Sequence, residues 1–157
     1  MKPATARSAL KIQQVLGDEF EVLEFDESTR SAADAAAALG CDVAQIAKSM
    51  VFTAVNSRRP VLVVASGPVR VDTAKVGALF GEPVKRATPD FVRERTGFAI
   101  GGVPPIGHVT PPVVFLDETL LQFDTLWAAA GTPNAVFCLS PDNLQHLTNG
   151  SVADIAE

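Results

Sequence analysis

The stretch Cys41–Ser66, CDVAQIAKSMVFTAVNSRRPVLVVAS, decides the fold. Met50–Val55 and Val61–Ser66 are rich in β-branched and aromatic residues and flank the polar NSRRP, which predicts a β-hairpin. The second arm, VLVVA, shows no apolar–polar alternation, so it belongs inside a sheet with both faces covered. Asp42, with Gln45 three residues on, is a capping-box-like start for one helical turn. Lys48 falls where that turn gives way to strand.

Helices and strands alternate outward from the hairpin. Residues 4–16 carry Ala9, Ile12, Val15 and Leu16 at helical spacing, with Gly17 as a stop. EFEVLEF reads as a strand, and SAADAAAALG as a helix capped by Ser31 and ended by Gly40. On the other side, VDTAKVGALFG has Asp72 as N-cap, and TPDFVRERTG has Thr88 as N-cap, Pro89 in the first turn and Gly97 as terminator. PVVFLDE and NAVFCLS read as strands, and Ser140-Pro141 starts a last helix through about Leu147. There is no regular βαβ rhythm, so the expected class is α+β, with a mixed, mainly antiparallel sheet flanked by helices. A doubly wound nucleotide fold is disfavoured, since neither G-x-G-x-x-G after the first strand nor G-x-x-x-x-G-K-[ST] occurs.

Composition narrows the function. The chain has 157 residues, 47% hydrophobic and 20% charged, which suits one domain with a sizeable core. No apolar run is long enough to span a bilayer and the N-terminus lacks a signal-peptide pattern, so a cytoplasmic protein without a membrane partner is expected. Two cysteines and two histidines, at spacings that match no common zinc pattern, predict no metal and no disulfide framework. The net charge of −5 argues against extended, non-specific nucleic-acid contact, DNA included. All 13 Lys and Arg lie in residues 1–95 beside 12 acids, net +1, whereas residues 96–157 carry 6 acids and no Lys or Arg, net −6. A basic face, if present, is local and lies on the first part.

Two places could carry chemistry. Lys48, among Ile46, Ala47, Met50 and Val51, is either an exposed strand-end lysine or an ammonium at a pocket rim, where partial desolvation strengthens its pull on an anion. The run Thr96–His108, TGFAIGGVPPIGH, is either a structural turn or an anion-binding loop. Glycine permits positive φ and close approach, and proline fixes φ and donates nothing. Gly101-Gly102 followed by Pro104-Pro105 thus describes a main chain bent and then held, offering the amides of Gly101, Gly102 and Val103 to an oxyanion or a ribose phosphate. His108 directly follows as a substrate contact, a base or a surface histidine. Cys41 is either a nucleophile or a core thiol. No G-x-S-x-G elbow is present.

GCDVAQIAKSMVFTAVN, VDTAKVGALFG, ATPDFVRERTGFAIGGVPPIGH and LSPDNLQHLTNGSVADIAE together resemble the YbaK/EbsC-type aminoacyl-tRNA deacylases, relatives of the editing domain of bacterial prolyl-tRNA synthetases. The resemblance covers nearly the whole chain. It implies a single YbaK-like domain over residues 1–157, free-standing, with no metal or cofactor, that cleaves the aminoacyl ester of mischarged tRNA. It also implies tRNA for proline carrying a small wrong amino acid such as alanine or cysteine, with prolyl-tRNA synthetase as a further partner. Some members remove cysteine through the substrate's own thiol, and others remove alanine or other small amino acids with water. By resemblance Lys48 lies at the pocket and contacts the tRNA 3′ end or the reacting ester, and the glycine loop shapes the amino-acid pocket; the loop's amide donors suit Gly101 and Gly102 to stabilising the tetrahedral oxygen. Val103, Pro104, Pro105 and His108 then shape the substrate site. The family often has Ser or Thr where this chain has Pro104. Several members carry a tyrosine near the first strand, whose nearest counterpart here is Phe25. The rival reading is a non-catalytic module that binds tRNA ends or nucleotides; a second rival is a hydrolase of small esters unrelated to tRNA.

Overall fold

The structure is a computed structural model and describes residues 1–27, 29 and 31–157. The predicted hairpin is its centre. Strand β3 (Ile46–Ala54) pairs antiparallel with β4 (Pro60–Ser66), from Ala47 opposite Ser66 to Thr53 opposite Pro60. Every residue of β4 is buried, as the unbroken apolar run requires. Strand β3 starts four residues earlier than the β-rich run suggests, directly after a single 3-10 turn over Val43–Gln45. That turn carries the full capping box, in which the Asp42 side chain accepts from Ala44 N–H and the Gln45 side chain accepts from Asp42 N–H.

Around the hairpin, the described strands are β1 (Lys2–Pro3), β2 (Val22–Glu24), β5 (Val84–Arg86), β6 (Val113–Asp117), β7 (Leu126–Ala129), β8 (Ala135–Leu139) and β9 (Ser151–Ala153). The sheet order is β1-β2-β8-β7-β3-β4-β6-β9, with β5 on the free stretch of β3. Five pairings are antiparallel and three, β3–β7, β4–β6 and β6–β9, are parallel. The mixed, mainly antiparallel α+β architecture is therefore the one expected.

Five helices flank it among the described residues: α1 (Arg7–Leu16), α2 (Ala32–Leu39), α3 (Thr73–Phe80), α4 (Pro89–Thr96) and α5 (Pro141–Thr148). Ser31, Asp72, Thr88 and Ser140 each cap the following helix through the side chain, and Gly40, Gly81 and Gly97 end three of them in the left-handed region. Helix α1 has no cap of its own. Instead the buried carboxylate of Glu24, on β2, accepts from Thr5 N–H (2.9 Å), Thr5 Oγ1 (2.7 Å) and Ala6 N–H (3.1 Å) at its N-terminus. One core, with Ile12, Leu62, Val64, Leu126 and Phe137, covers one face of the sheet, and a smaller one, with Phe52, Val61, Val63, Val76 and Ile155, covers the other. None of the described helices is long and apolar enough to cross a membrane.

Candidate active site

A break in the sheet positions the site. On the side away from β4, β3 is met by β7 at Ile46 and Ala47 and by β5 at Phe52–Ala54, with Ala87 N–H donating to Val51 O. Between these pairings Lys48, Ser49 and Met50 have no strand partner on that side. Beside this gap lies a cavity of about 190 Å³. Its walls are small: Ala32 and Ala35 from α2, Ala128 and Ala129 from β7, and Ala135 from β8. Ile46 and Trp127, paired across β3 and β7, add the larger apolar surface.

Lys48 and the diglycine bend meet here. Lys48, Gly101 and Val103 all line the cavity, together with Ser49, Thr29, Ser31 and Thr132. Lys48 Nζ donates to Gly67 O (2.9 Å) and Val69 O (2.7 Å), in the turn that follows β4. That turn is pressed onto the Val43–Gln45 turn: a Cβ on Gly67 would collide with the main chain of Val43. The end of β4 is pinned as well, with Ser66 N–H donating to Asp117 Oδ2 (2.9 Å) and Ser66 Oγ to Ala44 O (2.6 Å). Partial burial lowers the pKa of Lys48 below the usual lysine value, the Arg86 charge lowers it further, and Asp117 acts in the opposite direction.

The two glycines of the bend do different work. Gly101 has φ +103°, which favours glycine. Gly102 lies against the main chain of Thr132, where a side chain has no room, and its carbonyl accepts from Gly131 N–H (2.9 Å). The bend is thereby fastened to the β7–β8 turn, whose Thr132 and Pro133 line the cavity. The Gly102 amide donates to Ala99 O (3.3 Å), so it is not free for a ligand. Among the described residues the amides of Gly101 and Val103 make no hydrogen bond.

The remaining predicted residues lie outside the cavity wall. Pro104 and Pro105 are buried behind the bend, and His108 Nε2 lies 2.6 Å from Pro104 O with its ring tilted against Phe98. Burial lowers the pKa of His108, favouring a neutral ring that closes the loop on itself. Phe25 is buried and tied to Asn134 by two hydrogen bonds, Phe25 N–H to Asn134 O (2.7 Å) and Asn134 Nδ2 to Phe25 O (3.2 Å). It reaches the site through Asn134, next to Pro133. Cys41 is half-buried beside α2 and outside the cavity wall; burial raises the pKa of its thiol.

Sequence reasoning missed Ser49, Trp127 and Thr132. Ser49 had a signal: it is the one hydroxyl in the run IAKSMVF before Thr53. Its Oγ is buried with no hydrogen-bond partner, an uncommon state for a hydroxyl.

A mixed-sheet domain with an alanine-lined cavity, a held ammonium and two free amides defines a class of proteins that bind a small, oxygen-rich group. The comparisons agree and go further. The family profile described as the aminoacyl-tRNA editing domain matches residues 26–147. YwhH of Bacillus subtilis is 34% identical over 134 residues, covering 85% of each chain. EbsC of Enterococcus faecalis, named as a candidate Cys-tRNA(Pro)/Cys-tRNA(Cys) deacylase, is 30% identical over 132 residues, 83% of this chain and 80% of that one. A crystal structure described as a candidate trans-editing enzyme for prolyl-tRNA synthetase superposes with a TM-score of 0.93 at 46% identity, over 98% of this chain and 99% of that one. The chain belongs to the aminoacyl-tRNA editing domain family and is an aminoacyl-tRNA deacylase of the YbaK/EbsC type.

Proposed function

We propose that this chain is a single editing domain over residues 1–157 that acts in trans in the cytoplasm. It removes a small wrong amino acid, alanine or cysteine, from tRNA for proline after mischarging by prolyl-tRNA synthetase. The observation that carries this reading is the shared cavity: Lys48, Gly101 and Val103 line it together, and six alanines bound the space left for a side chain. The relatives named for proline-tRNA editing support the choice of tRNA.

The chemistry follows from these groups. A water oxygen adds to the ester carbonyl carbon, and the carbonyl oxygen takes negative charge. The adduct collapses with cleavage of the bond to the ribose oxygen, which takes the proton that water loses. The free amides of Gly101 and Val103 face the developing oxyanion. An ammonium has three N–H donors. Lys48 spends two on Gly67 and Val69, and the third orients the substrate while the charge favours the oxyanion. An ester is activated enough for a positioned water to suffice. For cysteine, the substrate thiol takes the place of water and forms a cyclic thioester.

A deacylation screen tests this, using alanyl-, cysteinyl-, seryl- and threonyl-esters of proline tRNA with wild type and Lys48→Ala. Release of alanine or cysteine by wild type, slowed about ten-fold or more in the variant, is expected for one lost charge-assisted contact. Binding without release across the panel makes the chain a tRNA-end binding module, and equal cleavage of simple amino-acid esters makes it a general esterase.

A further inference from the structure

Two cations share the ring of Phe91 on α4. The Arg95 guanidinium lies 4.9 Å from the ring centroid, and that of Arg58, in the turn of the β3–β4 hairpin, lies 5.8 Å from it. Arg59, the next residue, lies 5.1 Å from the ring centroid of Phe80 on α3. An aromatic face holds a guanidinium in place and leaves its N–H edge free to bind an anion. The turn itself is fixed. Arg58 N–H donates to Ala54 O (2.9 Å) and Ala54 N–H to Arg59 O (2.9 Å), with Arg58 at φ +63°, an uncommon state for a residue with a side chain. The Glu82 carboxylate, which faces Arg59, accepts from Asn56 N–H (2.9 Å) and Ser57 N–H (2.8 Å) and so braces the turn.

No ion pair neutralises these arginines. Among the described residues the one ion pair is Lys75–Asp154, although Asp90 and Glu94 stand on the same helix as Arg95. Lys85 and Arg86, both exposed on β5, extend the positive charge along β3 toward the gap in the sheet. Like charges held side by side repel, so a rigid array of them suits a polyanion that replaces repulsion with attraction.

The array is continuous with the site. Val92, next to Phe91 on α4, lines a small cavity with Ser49, Gly101 and Val103, and those three also line the larger one. At about 3.3 Å per residue, Ala54 at the end of β3 lies about 17 Å from Ser49. The hairpin turn therefore stands several stacked nucleotides, at about 3.4 Å each, away from the reacting group. In tRNA the ester sits at the tip of a short single-stranded tail, beyond which the chain is double-stranded. Residues 96–157, with 6 acids and no Lys or Arg, direct an RNA backbone toward this first part of the chain.

We propose that Arg58 and Arg95, held on Phe91 with Arg59 beside them, form a docking surface for the phosphate backbone of the tRNA acceptor stem. The stem rests on the hairpin turn and the end of α4 while its single-stranded end runs along β3 into the cavity. This rests on the deacylase reading above. The contacts are to phosphates, so they position the RNA without reading its sequence.

The test uses an uncharged RNA hairpin with a single-stranded 3′ tail ending in CCA, and reads binding by fluorescence anisotropy over a range of salt. Arg58→Gln and Arg95→Gln should each weaken binding about ten-fold, as for one charge-assisted contact, and flatten the slope of log K against log salt by about 1. Arg58→Lys, which keeps the charge, should keep the slope. Lys2→Gln, on the outermost strand β1, should also keep it, and an equal loss there would assign the effect to bulk charge and overturn the proposal. RNA reduced to the tail alone should bind wild type and variants alike. With esters, either Gln variant should lower kcat/KM about ten-fold for alanyl-tRNA and stay within about two-fold of wild type for 2′(3′)-O-alanyl-adenosine, which also shows an intact fold. Equal losses on both esters overturn the docking surface. Unchanged RNA binding in the Arg58→Gln/Arg95→Gln double variant also overturns it and leaves the arginines to an acidic protein. Salt-dependent stem binding that falls in the variants supports the surface even if no ester is cleaved, a result that counts against the deacylase reading alone.

Discussion

Gly102 lies against the main chain of Thr132: a Cβ on Gly102 would sit 2.6 Å from Thr132 Cα. The diglycine bend and the β7–β8 turn are thus one wall, and the second glycine is there for lack of a side chain. Gly102→Ala should cost about 1–3 kcal/mol in a urea melt, as overpacking against rigid main chain does. Unchanged stability would mean the two segments do not touch.

Gly101 meets nothing closer than Pro133 Cγ at 3.8 Å, but its φ of +103° strains any other residue. Gly101→Ala should therefore stay folded, lose on the order of 1 kcal/mol, and lose activity because the bend carrying the free amides shifts. Full activity in this variant would remove the amides from the mechanism.

The Lys48 contribution should depend on pH in a defined direction. Burial and the Arg86 charge lower its pKa, so the ammonium is lost below the ordinary lysine value near 10.4. Activity should fall as pH rises through the lowered value. Arg86→Ala removes one of the two causes, and should move this alkaline limb to higher pH. A limb that stays in place would show that Lys48 does not set it.

Glu24 should couple stability to acid. Hydrogen bonding from Thr5, opposed by burial, holds its pKa below the usual carboxylate value. Its stabilisation is complete above the unfolded value near 4.3 and is lost as pH falls through the lower folded value. Glu24→Ala leaves three donors at the start of α1 without their acceptor and should cost about 2–3 kcal/mol at neutral pH. The gap between wild type and Glu24→Gln should shrink below about pH 4 in denaturant titrations.

Cavity size should set which amino acid is released. Ala129→Leu adds bulk at a partly exposed point of the wall, opposite Val136. It should lower kcat/KM for the larger accepted amino acids more than for alanine, by about ten-fold in the ratio. An unchanged ratio would place the amino acid elsewhere.

Local physics was legible in the chain, and long-range pairing was not. Ser31, Asp42, Asp72, Thr88 and Ser140 announce their turns because a cap needs only the next three residues. Strands β5, β7 and β9 do not, being three or four residues long and defined by partners far away. Trp127 reaches the cavity through its parallel pairing with Ile46, and parallel strands leave no local turn signature. Lys48 and the Gly-Gly-x-Pro run stood out by composition. That they would line one cavity, while His108 and Phe25 would not, depends on where the β7–β8 turn docks, and only the fold supplies that.

The most direct measurement is single-turnover release of amino acid from mischarged proline tRNA by wild type and Lys48→Ala at saturating enzyme. Release by wild type, at least about ten-fold slower in the variant with its fold intact by circular dichroism, is the predicted result. Equal rates for the two proteins, or no release from any ester in the panel, would contradict the claim that the ammonium and the glycine bend work on one substrate.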